Sequence, residues 1–592
     1  MSIFATDDTT PPPILPLTAE LPLSQQLKMA AQSFRASAVR YKVMLVAAAL
    51  LAIILMTVYA QVLLNQWNAP FYNSLEQRNL TEFLAQLKNF GVIAGFLLVL
   101  NVIQTWLNQM AALYMREGLS RDIVDQWLKG RRAYRLSVSS PFGVNPDQRL
   151  HEDARKLSEM TTTLSIGLVQ STILLVSFIG VLWQLSSDFV FEIGGRSFAI
   201  PGYMVWGAII YAGAASISSN LVGSRLANLN AERYGREADL RSSLMRANEH
   251  LEAIALARSE ETERRRINGK IDGVLGVIRH LAISLTNLTW ISAGFGWLAT
   301  IVPILIAAPA YFTGTMSFGG LMMAAAAFNQ VYSALRWYVD NFGVIADWRA
   351  ALMRVMSLRA ALTEQDTAEP NGPQISLMPG AFGELKLIDL VISPDIADPA
   401  AKGRFGIEEE QPVIRFSERI MINGDQGVNR KLLFHALAGL WRSGSGTILM
   451  PEEDQVLFVP QLGYLPEGPL RELLCYPLDP AGYGDAALID ALTRVGLERL
   501  AGMLDETPRW DRLLDKDEQM ALAFANILLR QPRWIVLNDV LEGLESDTST
   551  ILSDILSGLS GATQIYIGRS SIYLDAVKPR LLHLRRLEPV VG

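Results

Sequence analysis

From Leu281 to Leu335 the chain carries no Asp, Glu, Lys or Arg. A bilayer needs only about 20 apolar residues in a helix, so a run of this length predicts two crossings rather than one. The turn that divides it is Pro309-Ala-Tyr-Phe-Thr-Gly-Thr-Met-Ser-Phe-Gly-Gly320, rich in residues that break a helix. Four shorter uncharged runs precede it: Val43 to Leu64, Asn89 to Met115, Met160 to Ser187, and Phe198 to Ser224. The first holds 22 residues. At 1.5 Å per residue such a helix covers about 33 Å, enough to cross the hydrocarbon. Residues 43–355 are therefore predicted to form a six-span α-helical transmembrane domain. In the second run Asn101, Gln104, Asn108 and Gln109 fall largely on one helical side. Polar groups there are costly against lipid, which predicts that they face a cavity or a neighbouring helix.

Basic residues near span ends resist translocation and so report orientation. Nine lie between spans two and three, from Arg116 to Lys156, and eleven between spans four and five, from Arg225 to Arg279. The alternate loops hold only Arg78 and Lys88, then Arg196, then none. Both termini are predicted to be cytoplasmic. Residues 1–42 are polar, include Pro11 to Pro13, and show no apolar core before a small-residue cleavage site, so they read as a cytoplasmic tail without a cleaved signal. The two basic segments read as helical extensions of the spans, with runs such as Arg264 to Arg266 as solvated faces.

Half of the residues are hydrophobic, yet the formal net charge is -7 and the basic residues flank apolar runs instead of clustering on one surface. That pattern excludes a nucleic-acid binder, which neutralises phosphates with a basic patch. The one cysteine, Cys475, cannot form an intramolecular disulfide and reads as a packing residue; it and five histidines show no zinc-ligand spacing.

After Leu362 the composition changes. The stretch Thr363 to Gln374 has no periodic apolar face, and residues 356–380 are predicted to be a linker. From 381 to 592 short apolar runs at Ile420 to Ile422, Val456 to Val459, Trp534 to Leu537 and Thr563 to Ile567 alternate with helix-like segments such as Lys431 to Leu440 and Glu518 to Leu529. Alternating strands and helices predict a largely parallel α/β sheet with ligands at the strand ends.

Four motifs in this half occur in an informative order. Gly424-Asp-Gln-Gly-Val-Asn-Arg-Lys431 follows a strand and opens a helix; Val456-Leu-Phe-Val-Pro-Gln461 follows; Leu514-Asp-Lys-Asp-Glu-Gln519 precedes a helix; Trp534-Ile-Val-Leu-Asn-Asp539 ends a strand. They resemble the phosphate loop, Q-loop, signature and Walker B segment of ATP-binding-cassette (ABC) proteins. The membrane half resembles a narrower group, the half-transporters related to SbmA/BacA-type peptide-uptake permeases and to subfamily D ABC transporters. Gln66-Trp-Asn-Ala-Pro-Phe-Tyr72, Asn145-Pro-Asp-Gln-Arg149, Ala307-Ala-Pro-Ala-Tyr-Phe312 and Trp337-Tyr-Val-Asp340 carry that likeness. The resemblance implies an ABC type-1 exporter-like membrane domain followed by a P-loop NTPase-like cassette. It also makes Glu249-His-Leu-Glu-Ala-Ile-Ala-Leu256 a coupling segment, with Glu249, Glu252 and Ala253 as its motif residues.

Against that pattern the chemistry of the cassette is altered. A working phosphate loop combines glycine N–H groups, a Lys on the β/γ-phosphates and a hydroxyl on magnesium. Here Gly424 and Gly427 remain, but Asn429, Arg430 and Lys431 stand at the last glycine, lysine and hydroxyl positions, with Leu432 next. Like charge beside a divalent cation is unfavourable at low dielectric. Walker B offers Asn538 and Asp539 where an Asp and a Glu are expected, so metal charge and water positioning are both weakened. Asp515 and Asp517 replace signature residues that meet a γ-phosphate, while Leu514, Glu518, Gln519 and the Q-loop Gln461 remain. Arg569 stands at the switch-histidine position, and Val391 to Gln411 offers only Phe405 as an aromatic for adenine. The reading predicts weak or absent ATP binding, no secure Mg2+ site and negligible turnover, with Asp539 and Gln461 as catalytic remnants.

The function expected is a transporter in a bacterial inner membrane, dimeric because a six-span half needs a second copy to enclose a pathway. By resemblance its cargo is a peptide, a peptide-like or cobalamin-like compound, or a fatty-acyl derivative. Two alternatives stand beside it: a non-hydrolysing regulatory subunit pairing with an intact ABC half-transporter, and a proton-driven permease in which Asp340, beside Arg336, is either a proton site or a structural ion pair.

Overall fold

The computed structural model describes residues 22–139, 146–187, 190–193, 196–364, 373–381, 383–394, 403–452 and 455–587. Pro11 to Pro13, Asn145 of the Asn-Pro-Asp-Gln-Arg motif and residues 365–372 of the expected linker lie outside these. The chain divides into two compact units, the first ending at Glu364 and the second beginning at Gln365.

The first unit is helical. Its principal helices are α1 (Leu23–Ala36), α2 (Arg40–Glu76), α3 (Leu80–Leu128), α4 (Ala154–Ser186), α5 (Tyr203–Glu249), α6 (Leu251–Leu256), α7 (Glu260–Phe312), α8 (Phe318–Asp340) and α9 (Phe342–Glu364). Among the described residues five helices, α2, α3, α4, α5 and α7, are long and apolar enough to cross a membrane. The expected sixth span, α8, is not among them, because Asn329 and Gln330 interrupt its apolar run. α8 lies at the centre of the unit's packing. Gly319, Gly320, Ala324, Ala325 and Ala327 are buried along it, and their small side chains let neighbouring backbones approach. Phe178 and Leu182 of α4, Met204 and Ala208 of α5, and Ala307 and Ala310 of α7 join Phe328 and Val331 of α8 in one core.

Local chemistry fixes the helix ends. Asn79 caps α3 by accepting from the Glu82 N–H at 3.2 Å, and Ser317 caps α8 by accepting from the Gly320 N–H at 3.1 Å. The second cap, with Gly314 at φ +77°, makes the turn expected between residues 309 and 320. The fourth span begins later than Phe198, because Arg196–Ala199 (β2) pairs antiparallel with Val190–Ile193 (β1) and the helix starts at Tyr203. Among the described residues both basic segments are largely helical, as expected, and Arg264, Arg265 and Arg266 are exposed and paired with Glu261 or Glu263. The polar face of α3 is not uniform: Gln104 donates to Gln170 of α4 at 2.9 Å, whereas Asn101 and Gln109 are exposed. Residues 356–364, expected as linker, are the last turns of α9, where Met356, Leu358 and Leu362 are buried.

The second unit is an α/β domain on a ten-stranded sheet. Its strands are β3 (Ser376–Pro379), β4 (Glu384–Ile392), β5 (Phe405–Ile407), β6 (Val413–Arg415), β7 (Arg419–Gly424), β8 (Gly444–Met450), β9 (Val456–Val459), β10 (Trp534–Asn538), β11 (Thr563–Ile567) and β12 (Arg580–Arg586). The order is β3-β8-β4-β5-β12-β7-β11-β10-β9, with β6 beside β4. β9, β10, β11, β7 and β12 are mutually parallel, as predicted, while β4 runs antiparallel to β5, β6 and β8.

Strand alternation builds two cores, one on each face. Ile420, Ile422, Trp534, Val536, Ile565 and Ile567 face one; Met421, Ile535, Leu537 and Tyr566 face the other. Helix α10 (Arg430–Leu437) lies over the first through Leu433 and Leu437, and α11 (Lys516–Arg530) over the second through Leu522 and Phe524. α10 is shorter than the expected 431–440 helix because Gly439 takes φ +69°. Residues 376–379 of the expected linker form β3. Cys475 is fully buried in the second core, a packing residue whose thiol burial pushes up in pKa. Phe405 is also fully buried, which removes it as a platform for a base.

Candidate nucleotide site of the second unit

The phosphate-like loop joins the end of β7 to α10. Gly424 is required by contact, since a Cβ there would lie 2.7 Å from the Leu584 Cβ on β12. Gly427 is required by conformation, at φ +88°. The loop spends several of its donors on itself. The N–H groups of Asp425, Val428, Arg430 and Leu432 donate to the carbonyls of Leu584, Asp425, Val428 and Asn429. Leu432 is buried in the core, so its side chain faces away from any ligand, while Asn429 and Lys431 are exposed.

Arg430 turns inward. Its guanidinium lies 3.4 Å from Asp539 Oδ2, and both side chains are largely buried, with 17% and 18% exposure. Arg430 Nε and the neighbouring Asn538 Oδ1 are buried without a hydrogen-bond partner. Asp539 holds φ +50°, a left-handed conformation uncommon for a non-glycine residue, and its N–H donates to Ile567 at 2.9 Å. Burial, reinforced by the nearby Glu542 carboxylate, raises the Asp539 pKa above its ordinary value, with Arg430 acting in the opposite sense.

Arg569 reaches the same loop from beyond β11. Its guanidinium donates to the carbonyls of Gly424 at 2.7 Å and Asp425 at 3.2 Å, and its backbone N–H donates to Glu542 Oε1 at 3.0 Å. On the far side His583 of β12 bridges Asn423 Oδ1 and Asp425 Oδ1, each at 2.9 Å. The Arg586 N–H, then the His583 ring, hold the Asp425 carboxyl below the ordinary carboxylate range. Sequence reasoning missed His583 and Glu542; a polar residue amid the leucines of Leu581-Leu-His-Leu584 was the available signal for the first.

The signature segment is built as a helix start. Asp515 accepts from the Glu518 N–H at 2.8 Å while the Glu518 carboxylate accepts from the Asp515 N–H at 3.2 Å, a reciprocal capping box. Glu518 also takes Arg499 at 3.0 Å, Gln519 donates to the Leu514 carbonyl at 2.9 Å, and Asp517 accepts from the Glu545 N–H at 2.8 Å. The aspartates therefore have structural partners of their own. Leu514 is buried and Gln461 is exposed on the loop after β9. The structure brings Gly424, Arg430, Asp539 and Arg569 together; among the described residues no group of three or more His, Cys, Asp or Glu side chains could hold a metal ion.

In the first unit Glu249, Glu252 and Ala253 are exposed on or beside the six-residue α6, at the tip of the long α5–α7 pair. Leu251 and Leu256 are exposed with them. Arg336 pairs with Asp340 at 2.9 Å and also donates to the Tyr332 hydroxyl at 2.9 Å, the structural arrangement of the two weighed for Asp340.

Residues 34–312 match the family model for ABC transporter transmembrane region 2. The inner membrane ABC transporter ATP-binding protein YddA of Escherichia coli is 26% identical over 84% of this chain and 86% of its own length. ABC transporter D family member 2, chloroplastic, of Arabidopsis thaliana is 26% identical over 88% and 80%. Among solved structures, a bacterial Atm1-family ABC exporter with ATP bound superposes with a TM-score of 0.69 at 14% identity, covering 93% of this chain and 95% of that one. The fold is that of an ABC half-transporter. In that fold the first unit corresponds to the membrane domain and the second to the cassette domain.

Proposed function

We propose that this half-transporter works as a dimer, moving a small amphipathic or peptide-like solute across a bacterial inner membrane with a cassette that binds ATP weakly and does not hydrolyse it at transporter rates. The observation that carries this reading is the Arg430–Asp539 pair: the loop's cation and the remnant of the water-polarising carboxylate are engaged with each other at 3.4 Å. The donor set does not suit magnesium. Lys431 stands at the hydroxyl position and the neutral Asn538 at the metal carboxylate position, and hard divalent cations select oxygen anions. ATP would meet Arg430, Lys431 and the loop backbone, and no catalytic step through magnesium follows from these residues. Reconstituted protein, assayed for ATP turnover with and without magnesium, is expected to show none above a lipid-only control. Turnover at ordinary transporter rates, lost in R430A, overturns the reading. Cargo uptake into proteoliposomes, with ATP and a pH gradient varied separately, then identifies the driving force.

A regulatory subunit paired with an intact ABC half-transporter is the second reading. What favours it is that both cassette cores are fully packed while the ligand-facing side chains are altered. A cassette kept for its shape alone would look this way. Co-purification of an intact half-transporter in equal amount supports it, and a homodimer alone excludes it.

A further inference from the structure

We propose that Asp539 is a built-in counter-anion that occupies Arg430, so that the cassette's phosphate loop is locked in cis and accepts a polyphosphate only when this pair separates. This rests on the reading of a non-hydrolysing cassette and gives its weak nucleotide binding a structural cause.

Three features make the pair a lock rather than a passing contact. The Asp539 backbone, at a left-handed φ of +50°, is tied by its N–H bond to Ile567, and the glycine at 568 leaves room for its carboxylate, which a Cβ there would meet. Arg569 closes the same mouth by donating to the Gly424 and Asp425 carbonyls, with its own backbone tied to Glu542. The loop's Arg430 and Leu432 N–H groups are already donated to the Val428 and Asn429 carbonyls.

The lock is also releasable. At 3.4 Å the Arg430–Asp539 contact is long for a charge-assisted hydrogen bond, and Arg430 Nε is buried with no partner. A guanidinium offers five donors in a fixed fork, and a ligand bearing several anionic oxygens satisfies that fork better than one carboxylate oxygen. Arg430, Lys431 and Arg569 supply three positive charges around the loop, so a di- or triphosphate would be neutralised by side chains without a metal ion.

The test is equilibrium binding of ATP to the full-length protein in lipid nanodiscs, in EDTA and again in magnesium, for wild type, D539N, D539S, R430A and the double variant R430A/D539N. Freed of its counter-anion, the loop in D539N and D539S should bind ATP about tenfold or more tighter than wild type in EDTA, the gain of one buried charge interaction. Magnesium should add little, inorganic tripolyphosphate should compete, and R430A/D539N should lose the gain. Affinity in folded D539N and D539S no better than wild type overturns the lock, as does a gain that survives removal of Arg430. Magnesium-dependent turnover by wild type would instead sink the non-hydrolysing reading, whatever the D539N affinity, so the two can fail separately.

Discussion

Arg354 grips Asp153 through two parallel N–H···O bonds of 2.8 Å each, fastening α9, the last helix of the membrane unit, to the start of α4. Asp153 is buried, and burial of a carboxylate is tolerated only with such a partner. Nearby, Asp122 of α3 receives both Arg359 of α9 at 2.8 Å and Ser33 of α1 at 2.5 Å. These two ion pairs set the register of α9 against α4 and α3, and Ser33 ties α1 to the second of them.

Removing Arg354 strands the Asp153 charge. R354A is expected to destabilise the membrane unit by about 3 kcal/mol, toward the lower end for a broken buried pair because the arginine is itself part-exposed. Thermal unfolding in detergent checks this, and R354A melting with wild type would show the pair to be inert.

Gly319 is where α8 meets α2. Its N–H donates to Asn73 Oδ1 at 2.7 Å, and a Cβ would overlap the Ala69 carbonyl oxygen, a backbone atom that cannot step aside. G319A should cost about 1–3 kcal/mol by overpacking. Gly91 of α3 has nothing within 4 Å of a Cβ, so G91A should be neutral or slightly stabilising by helix propensity. Equal melting temperatures for G319A and G91A would contradict the assigned packing.

His435 on α10 gives the cassette a pH dependence. Burial, then the charge of Lys431, lower its pKa below the ordinary 6.5, so the unfolded chain takes up a proton in a range where the folded cassette does not. Its share of stability is whole above 6.5 and is lost as pH falls from there toward the lower folded value. Melting temperature should therefore drop on acidification through that window, and H435Q should flatten the drop. An unchanged slope in H435Q would assign the dependence to other groups.

The capping box at the signature predicts a structural rather than a ligand role for Asp515. D515A should lower stability by about 1 kcal/mol, and D515N, which keeps a cap acceptor, by less. Denaturant titration of the two variants decides it; equal losses would mean that the carboxylate charge, and not the cap, is what matters at this position.

Apolar periodicity reached far in this chain because burial in lipid and burial between sheet layers both write long uncharged runs. β9 and β11 were legible to the residue, since a strand covered on both faces has no polar alternation to blur its ends. The loop from Gly424 to Lys431, between a strand and a helix, was legible through glycines 424 and 427, each tied to a contact or a φ that other residues resist. The sixth expected crossing, α8, is not among the five helices long and apolar enough to cross a membrane, and its place at the buried centre of the unit is set by the helices that surround it. The linker was read too long because the last turns of α9 are apolar without a clean period.

Sequence by itself determined that the chain has a membrane half and an α/β half, because hydrophobicity is a local property. Only the tertiary structure decided that Arg430 and Asp539, 109 residues apart, pair with one another, that Asp515 caps a helix, and that Asp517 accepts from the Glu545 N–H. An ion pair depends on distance and burial, and neither exists until β7 and β10, which lead into the segments that carry its members, lie in one sheet.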